Sequence, residues 1–178
     1  MSISITLHRS GTSRTQQVDT TTTGLDLFGS DRAVVAMRVD GNLVDLQREL
    51  HDGAEVEPVE ATSEDGLNII RHSATHVMAQ AVQQLYPEVN LGIGPFITDG
   101  FYYDFGNIEP VTPEVLSELE KRMKRIVKEN QRFVRRVTTE ESAREELADQ
   151  PYKLELIGTK GKGACLLYTS DAADDTPC

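Results

Sequence analysis

TSEDGLNIIRHSATHVMAQAVQQLYP, residues 62–87, is the stretch on which the reading of the fold turns. Leu67, Ile70, Ala74, Val77, Met78, Ala81 and Leu85 recur at helical spacing. Pro87 ends the helix, because proline has no N–H to donate and its ring collides with the preceding turn. Thr62 and Asp65 stand in the Thr-x-x-Asp spacing of a capping box, so the helix is predicted to begin there. Inside it His72 and His76 are four residues apart, which puts both on one face at about 100° per residue. Ala79 and Gln83 share that face, while the stripe centred on Ile70, Ala74 and Ala81 points nearly the opposite way. The two imidazoles are therefore expected to face solvent, a cleft or a second surface rather than the helix's main apolar contact.

On the N-terminal side, residues 1–61 read as short strands with tight turns. Ile3, Ile5 and Leu7 alternate with polar residues, as in a half-buried strand, and a turn is predicted around Gly11. A brief helix is expected between Gly24 and Gly29, and an apolar, β-branched strand from Ala33 to Val39. Asp40-Gly41 is a hairpin signal, since both residues tolerate the positive φ that the turn requires. Leu43 to Leu46 returns and Glu55 to Val59 closes the unit, an order that suggests a small β-grasp module.

On the C-terminal side, a glycine-rich aromatic stretch runs from Gly92 to Phe105 and reads as buried strands and a tight loop. Thr112 as N-cap and Pro113 at the first position open a helix, with Val115, Leu116, Leu119, Met123, Ile126 and Val127 as its apolar stripe. Glu118 with Arg122 and Glu120 with Lys124 are spaced four apart in the favourable direction. Phe133 to Val137 reads as a strand, Thr138-x-x-Glu141 as the opening of a short helix, and Tyr152, Leu154 and Leu156 as a final strand. The mixture lacks βαβ regularity, so residues 62–157 are assigned to an α+β domain. Residues 158–178 are expected to be a Gly/Lys linker followed by a non-native tail. Leu166 to Ser170 spells what CTC TTA TAC ACA TCT encodes, a common transposon-end adapter.

The 178 residues carry a formal charge of −11 and 38% apolar residues, and no run of 18 apolar residues would cross a membrane. The opening Met1 to Ile5 has no basic and apolar signal-peptide pattern, so a cytoplasmic location is expected. Acidity argues against non-specific nucleic-acid binding by the whole surface. Yet Lys121, Arg122, Lys124, Arg125, Lys128, Arg132, Arg135 and Arg136 crowd into residues 121–136 with only Glu129 opposing them. Such a run is either a solvated helix face or a phosphate-binding one. The two cysteines, Cys165 and Cys178, lie in the tail, so neither a disulfide framework nor a Cys-x-x-Cys metal site is expected. The His-x-x-x-His pair by itself suits a metal, a ligand, a positioned water or chance on an exposed helix. It is not a zincin motif, because Ser73 stands where the glutamate would be.

Arg71 to His76, Gln84 to Pro87, Ile93-Gly94-Pro95, Asp99 to Asp104 and Leu119 to Met123, taken together, resemble the editing domain of bacterial threonyl-tRNA synthetases. The acidic module before them is similar to that family's TGS domain, and the resemblance covers about residues 1–157. It implies a β-grasp domain followed by a truncated α+β editing domain. The parent enzyme would join threonine to tRNA(Thr) with ATP and hydrolyse mischarged seryl-tRNA(Thr). A second site is needed because a missing methyl distinguishes serine by only about 1–3 kcal/mol in a binding pocket.

By the same resemblance His72 and His76 would hold the terminal adenosine and the attacking water, Tyr103 and Asp104 would shape the pocket, and the basic run 121–136 would meet tRNA phosphates. Simple aromatic packing for Tyr103 and a turn position for Asp104 are the plainer readings of those two. ATP, Mg and Zn belong to the family's catalytic core, and this stretch is expected to need no cofactor or metal. The family also takes a Cys-x-x-x-His into its editing site. Here Cys165 is followed four positions later by Thr169, so the chain is expected to hold half of that site and to edit poorly. Full-length relatives are typically homodimers, and the partner implied is the tRNA acceptor end. The alternative is a non-enzymatic RNA- or nucleotide-binding module built on the β-grasp domain, although residues 1–61 hold five basic and ten acidic residues.

Overall fold

The computed structural model describes the backbone of residues 1–131, 133–160, 165–170 and 173–177, and the side chains of 1–131 and 136–157. Its elements mix helix and sheet in an α+β arrangement, as expected. Two compact units are formed, Met1–Ile70 and Arg71–Cys178.

The first unit is a five-stranded sheet in the order β2-β1-β5-β3-β4. Strands β1 (Ser2–Arg9) and β2 (Thr12–Asp19) form a hairpin through Ser10 and Gly11, whose φ angles of 50° and 76° are those a two-residue turn needs. A five-residue helix α1 (Gly24–Phe28) follows. Its N-cap Thr23 and third residue Asp26 close a capping box. Strand β3 (Val34–Val39) turns at Asp40-Gly41, with φ of 50° and 78°, into β4 (Asn42–Val44). Strand β5 (Glu55–Glu60) then lies between β1, to which it is parallel, and β3, to which it is antiparallel. This is the β-grasp order. Alternation sends Ile3, Ile5, Met37, Val39 and Val56 to one face, where Phe28, Leu50 and Ala54 close the core.

Helix α2 (Glu64–Leu85) begins in the first unit and supplies the second with its remaining turns. Its cap is not the predicted Thr62. Ser63 Oγ accepts the Gly66 N–H at 3.1 Å and donates to the Glu60 carbonyl at 2.6 Å, so the serine one residue later satisfies the helix's unpaired donor. The stripe is also redistributed. Leu67 and Ile70 are exposed, while Ala79, Gln80, Ala81 and Val82 are all buried, so α2 is enclosed on every side at residues 79–82, and Gln84 beyond them is exposed again.

In the second unit, β6 (Asn90–Leu91) pairs with β9 (Phe105–Gly106), and β7 (Phe96–Ile97) pairs with β8 (Gly100–Phe101). Helix α3 (Pro113–Glu129) has the predicted cap, with Thr112 Oγ1 accepting the Val115 N–H, and ends on Asn130 in the left-handed region at φ 52°. Leu119 and Ile126 are buried with Ala81, Val82, Val89 and Leu91; Leu116 and Val127, assigned to the same stripe, are exposed. Strand β10 (Phe133–Thr138) follows as expected, and α4 (Glu140–Glu146) is capped by Thr139 rather than Thr138.

The largest correction is at Tyr152 to Leu156. The predicted strand is a helix, α5 (Pro151–Lys160). Three alternating apolar residues fit either period, and the buried pair Lys153 and Ile157, four apart, with Leu154 beside it, is helical. Proline at the first helical position suits such a start. Helix α5 also runs three residues into the expected linker. The rest of that linker, 161–164, lies outside the described residues. In the expected tail, β11 (Cys165–Ser170) pairs antiparallel with β10 and β12 (Ala173–Pro177) pairs with β11.

Candidate functional site

His72 and His76 lie one turn apart on α2, and their Nε2 atoms are 3.1 Å from each other. The ring centroids are 4.8 Å apart with planes crossing at 80°. An N···N contact of that length requires one ring to donate Nε2–H and the other to accept it, so at least one Nε2 is unprotonated. Burial lowers the pKa of both. His76 falls to about 4, because burial is reinforced by the neighbouring His72 and by the charge of Lys153. The pair is thus neutral at pH 7. The helix backbone beneath it is fixed by Thr75, which is buried and donates its hydroxyl to the His72 carbonyl at 2.7 Å. The Phe96 ring stands edge-on to His72, with centroids 6.4 Å apart and planes at 90°.

Lys153 is 1% exposed, the most unusual burial in the unit. A lysine buried to that degree is uncommon. The alternation of Tyr152, Leu154 and Leu156 read as a strand gives Lys153 nothing that marks it as buried. Only the helical period, which sets it with Leu154 and Ile157, reveals it.

Tyr103 and Asp104 part company. Tyr103 stacks on Phe105 at 4.7 Å and 11°, and its ring fills the space that a Cβ on Gly94 would take, at 2.2 Å. Burial pushes its phenol up to about 12, so it stays protonated and can donate. Asp104 is exposed. Its backbone is held by pairing with Ile93 and Gly92, at 2.9 Å each. Its side chain lines a cleft of about 390 Å³ with Ile93, Tyr152, Glu155 and Leu156. Neither imidazole is among the residues that line that cleft.

The basic run is also divided. Arg122 pairs with Glu118 at 3.0 Å, Lys124 with Glu120 at 2.6 Å, and Arg136 with Glu146. Lys121, Arg125 and Lys128 are exposed at positions i, i+4 and i+7 of α3, one continuous stripe. Arg132, and the side chain of Arg135, lie outside the described residues. Among the described residues no group of three or more His, Cys, Asp or Glu side chains is placed to hold a metal, and no helix is long and apolar enough to cross a membrane.

No protein-family model matches the chain. It is, however, 58% identical over 162 residues to the threonine--tRNA ligase of Streptomyces avermitilis, an alignment covering 91% of this chain and 25% of that protein. The chain belongs to the threonine--tRNA ligase family. The enzyme of Streptomyces griseus is 59% identical over 157 residues, 88% of this chain and 23% of that protein, and the one from Bifidobacterium longum strain DJO10A is 54% identical over 145 residues, 82% and 21%. The chain therefore spans about a quarter of the length of these threonine--tRNA ligases.

Proposed function

We propose that this chain is the part of a threonine--tRNA ligase that recognises mischarged seryl-tRNA(Thr), with residues 1–61 as a TGS-type module and 62–157 as the first part of an editing domain. The observation that supports this best is the neutral, hydrogen-bonded His72–His76 pair beside the buried charge of Lys153. Hydrolysis of an aminoacyl ester needs a base for water and a positive charge near the developing oxyanion. In this reading an imidazole of the pair takes a proton from water as its oxygen attacks the ester carbonyl carbon. The bond to the ribose oxygen then breaks, and that oxygen regains a proton. The ammonium of Lys153 stabilises the negative charge that forms between those events, and the protonated phenol of Tyr103 orients the substrate. No metal takes part in this scheme. Asp104, on the cleft it shares with Tyr152 and Glu155, helps to hold the substrate.

The exposed stripe Lys121, Arg125 and Lys128 supports contact with tRNA phosphates, with Lys124 at its margin. The acidic β-grasp module does not favour the alternative of a phosphate-binding domain. The whole enzyme, by this reading, is a cytoplasmic, homodimeric ligase that joins threonine to tRNA(Thr) with ATP.

Because the chain carries no Cys-x-x-x-His, binding tests the reading better than turnover. Adding a non-hydrolysable 3′-seryl-amido adenosine should move the imidazole resonances of His72 and His76 saturably, and His76→Asn should abolish the response. Imidazole signals that stay fixed at millimolar analogue would refute the proposal. Deacylation of seryl-tRNA by the chain is expected to be slow.

A further inference from the structure

Four large apolar side chains between residues 93 and 102 are left open to water: Ile93 and Phe96 at 44% exposure, Ile97 and Tyr102 at 48%. Phe96 differs from the others in its neighbour. It sits on the short β7–β8 hairpin with its ring edge-on to His72. Phe101 is its direct cross-strand partner, so the two rings share a face of the hairpin, with Phe101 the better covered of the two. Ile97 pairs with Gly100 and points the other way. The histidine pair is thus flanked by an aromatic surface that packing inside the unit leaves half uncovered.

We propose that Phe96, with Phe101 beside it, is a stacking wall for a nucleobase of the RNA end whose ester lies at the histidine pair. This rests on the reading given above under Proposed function. An ester on a terminal ribose brings its own base to within one nucleotide of the reacting carbonyl, so a site for the ester needs a surface for the base beside it. An exposed aromatic face meets that need for any base and adds no charge. The perpendicular contact leaves a face of the phenyl ring unoccupied by His72, and Phe101 stands beside it on the same face of the hairpin. The wall would fix where the ester sits along α2 and would leave the choice between serine and threonine to other groups.

The protein has no tryptophan, so Phe96→Trp in the full chain gives a single reporter at the wall. The expected result is saturable quenching of its fluorescence by adenosine and by the trinucleotide CCA, with at least tenfold weaker response to ribose 5-phosphate, which has no base. Phe96→Leu should weaken adenosine binding, followed by the His72 imidazole signal, by roughly tenfold, and Phe96→Tyr should restore it. Phe96 is 44% exposed, so none of these changes threatens the core. Equal response to ribose 5-phosphate and adenosine, or wild-type affinity in Phe96→Leu, would overturn the inference. The two proposals fail separately. Quenching by adenosine with imidazole signals unmoved by the seryl analogue sinks the hydrolytic reading alone. Imidazole shifts with no quenching and no effect of Phe96→Leu sink the stacking wall alone.

Discussion

Both the Met1–Ile70 unit and the Arg71–Cys178 unit carry exposed carboxylates lowered by hydrogen bonds, Glu114 and Glu120 among them in the second, but only the second shows groups shifted chiefly by burial. In the first, Asp26, Asp31, Asp40 and His51 all lie at the surface. Their shifts come from local hydrogen bonds: Thr23 to Asp26, Arg9 to Asp31, the Glu55 N–H to Asp40, and the Asp52 carbonyl and Asp40 to His51. In the second, His76 and Tyr103 are moved by burial above all, and Lys153 is enclosed outright. Hydrogen bonds in water steady turns and contribute little more. Burying a titratable group costs stability and sets its protonation, which is what chemistry requires. The contrast marks the first unit as scaffold and the second as the place to seek function.

The largest effect should come from the scaffold's core. Ile5 is fully buried, and Ile5→Ala should cost about 2–5 kcal/mol, read by urea unfolding and by lost amide-exchange protection confined to residues 1–60. An equal loss of protection around α3 would break the division between the units.

Acid should separate the two regions next. His76 binds its proton less readily folded than unfolded, so its contribution is complete above pH 6.5 and is lost as pH falls from 6.5 towards 4. The loss amounts to about 3 kcal/mol, and His76→Asn should flatten it. The carboxylates of the first unit, whose pKa values are lowered below 3.8, lose their contribution only below that pH. In an acid titration the amide signals of the second unit should therefore change first, between pH 6.5 and 4, before the lowered carboxylates of either unit take up their protons.

A smaller effect tests the turns. Gly41 has φ +78° with open space where a Cβ would go, so Gly41→Ala carries backbone strain alone, about 1–2 kcal/mol. A drop beyond about 3 kcal/mol would show that this hairpin does more than reverse the chain. The smallest effect should be Lys124→Ala, below about 0.5 kcal/mol, since the exposed pair with Glu120 is worth little.

Legibility followed the same divide. The hairpin at Asp40-Gly41 and the alternation of Ile3 and Ile5 were plain because strands declare themselves through period two and turns through residues that accept positive φ. The cap of α3 was plain because Thr-Pro meets two local requirements at once. Helix α5 was misread because three apolar residues cannot distinguish the two periods, and that error hid Lys153. The basic run showed its charge but not its pairing. Glu118 and Glu120 were foreseeable four residues away, whereas Glu146 reached Arg136 only through the fold.

The sequence by itself determined that His72 and His76 share one face of a helix, because helical geometry fixes that from their spacing. Their neutrality, their hydrogen bond and their neighbours Phe96 and Lys153 were decided by tertiary structure. Desolvation and charge depend on what surrounds a side chain, and residues 24 and 77 positions further along the chain supply those surroundings.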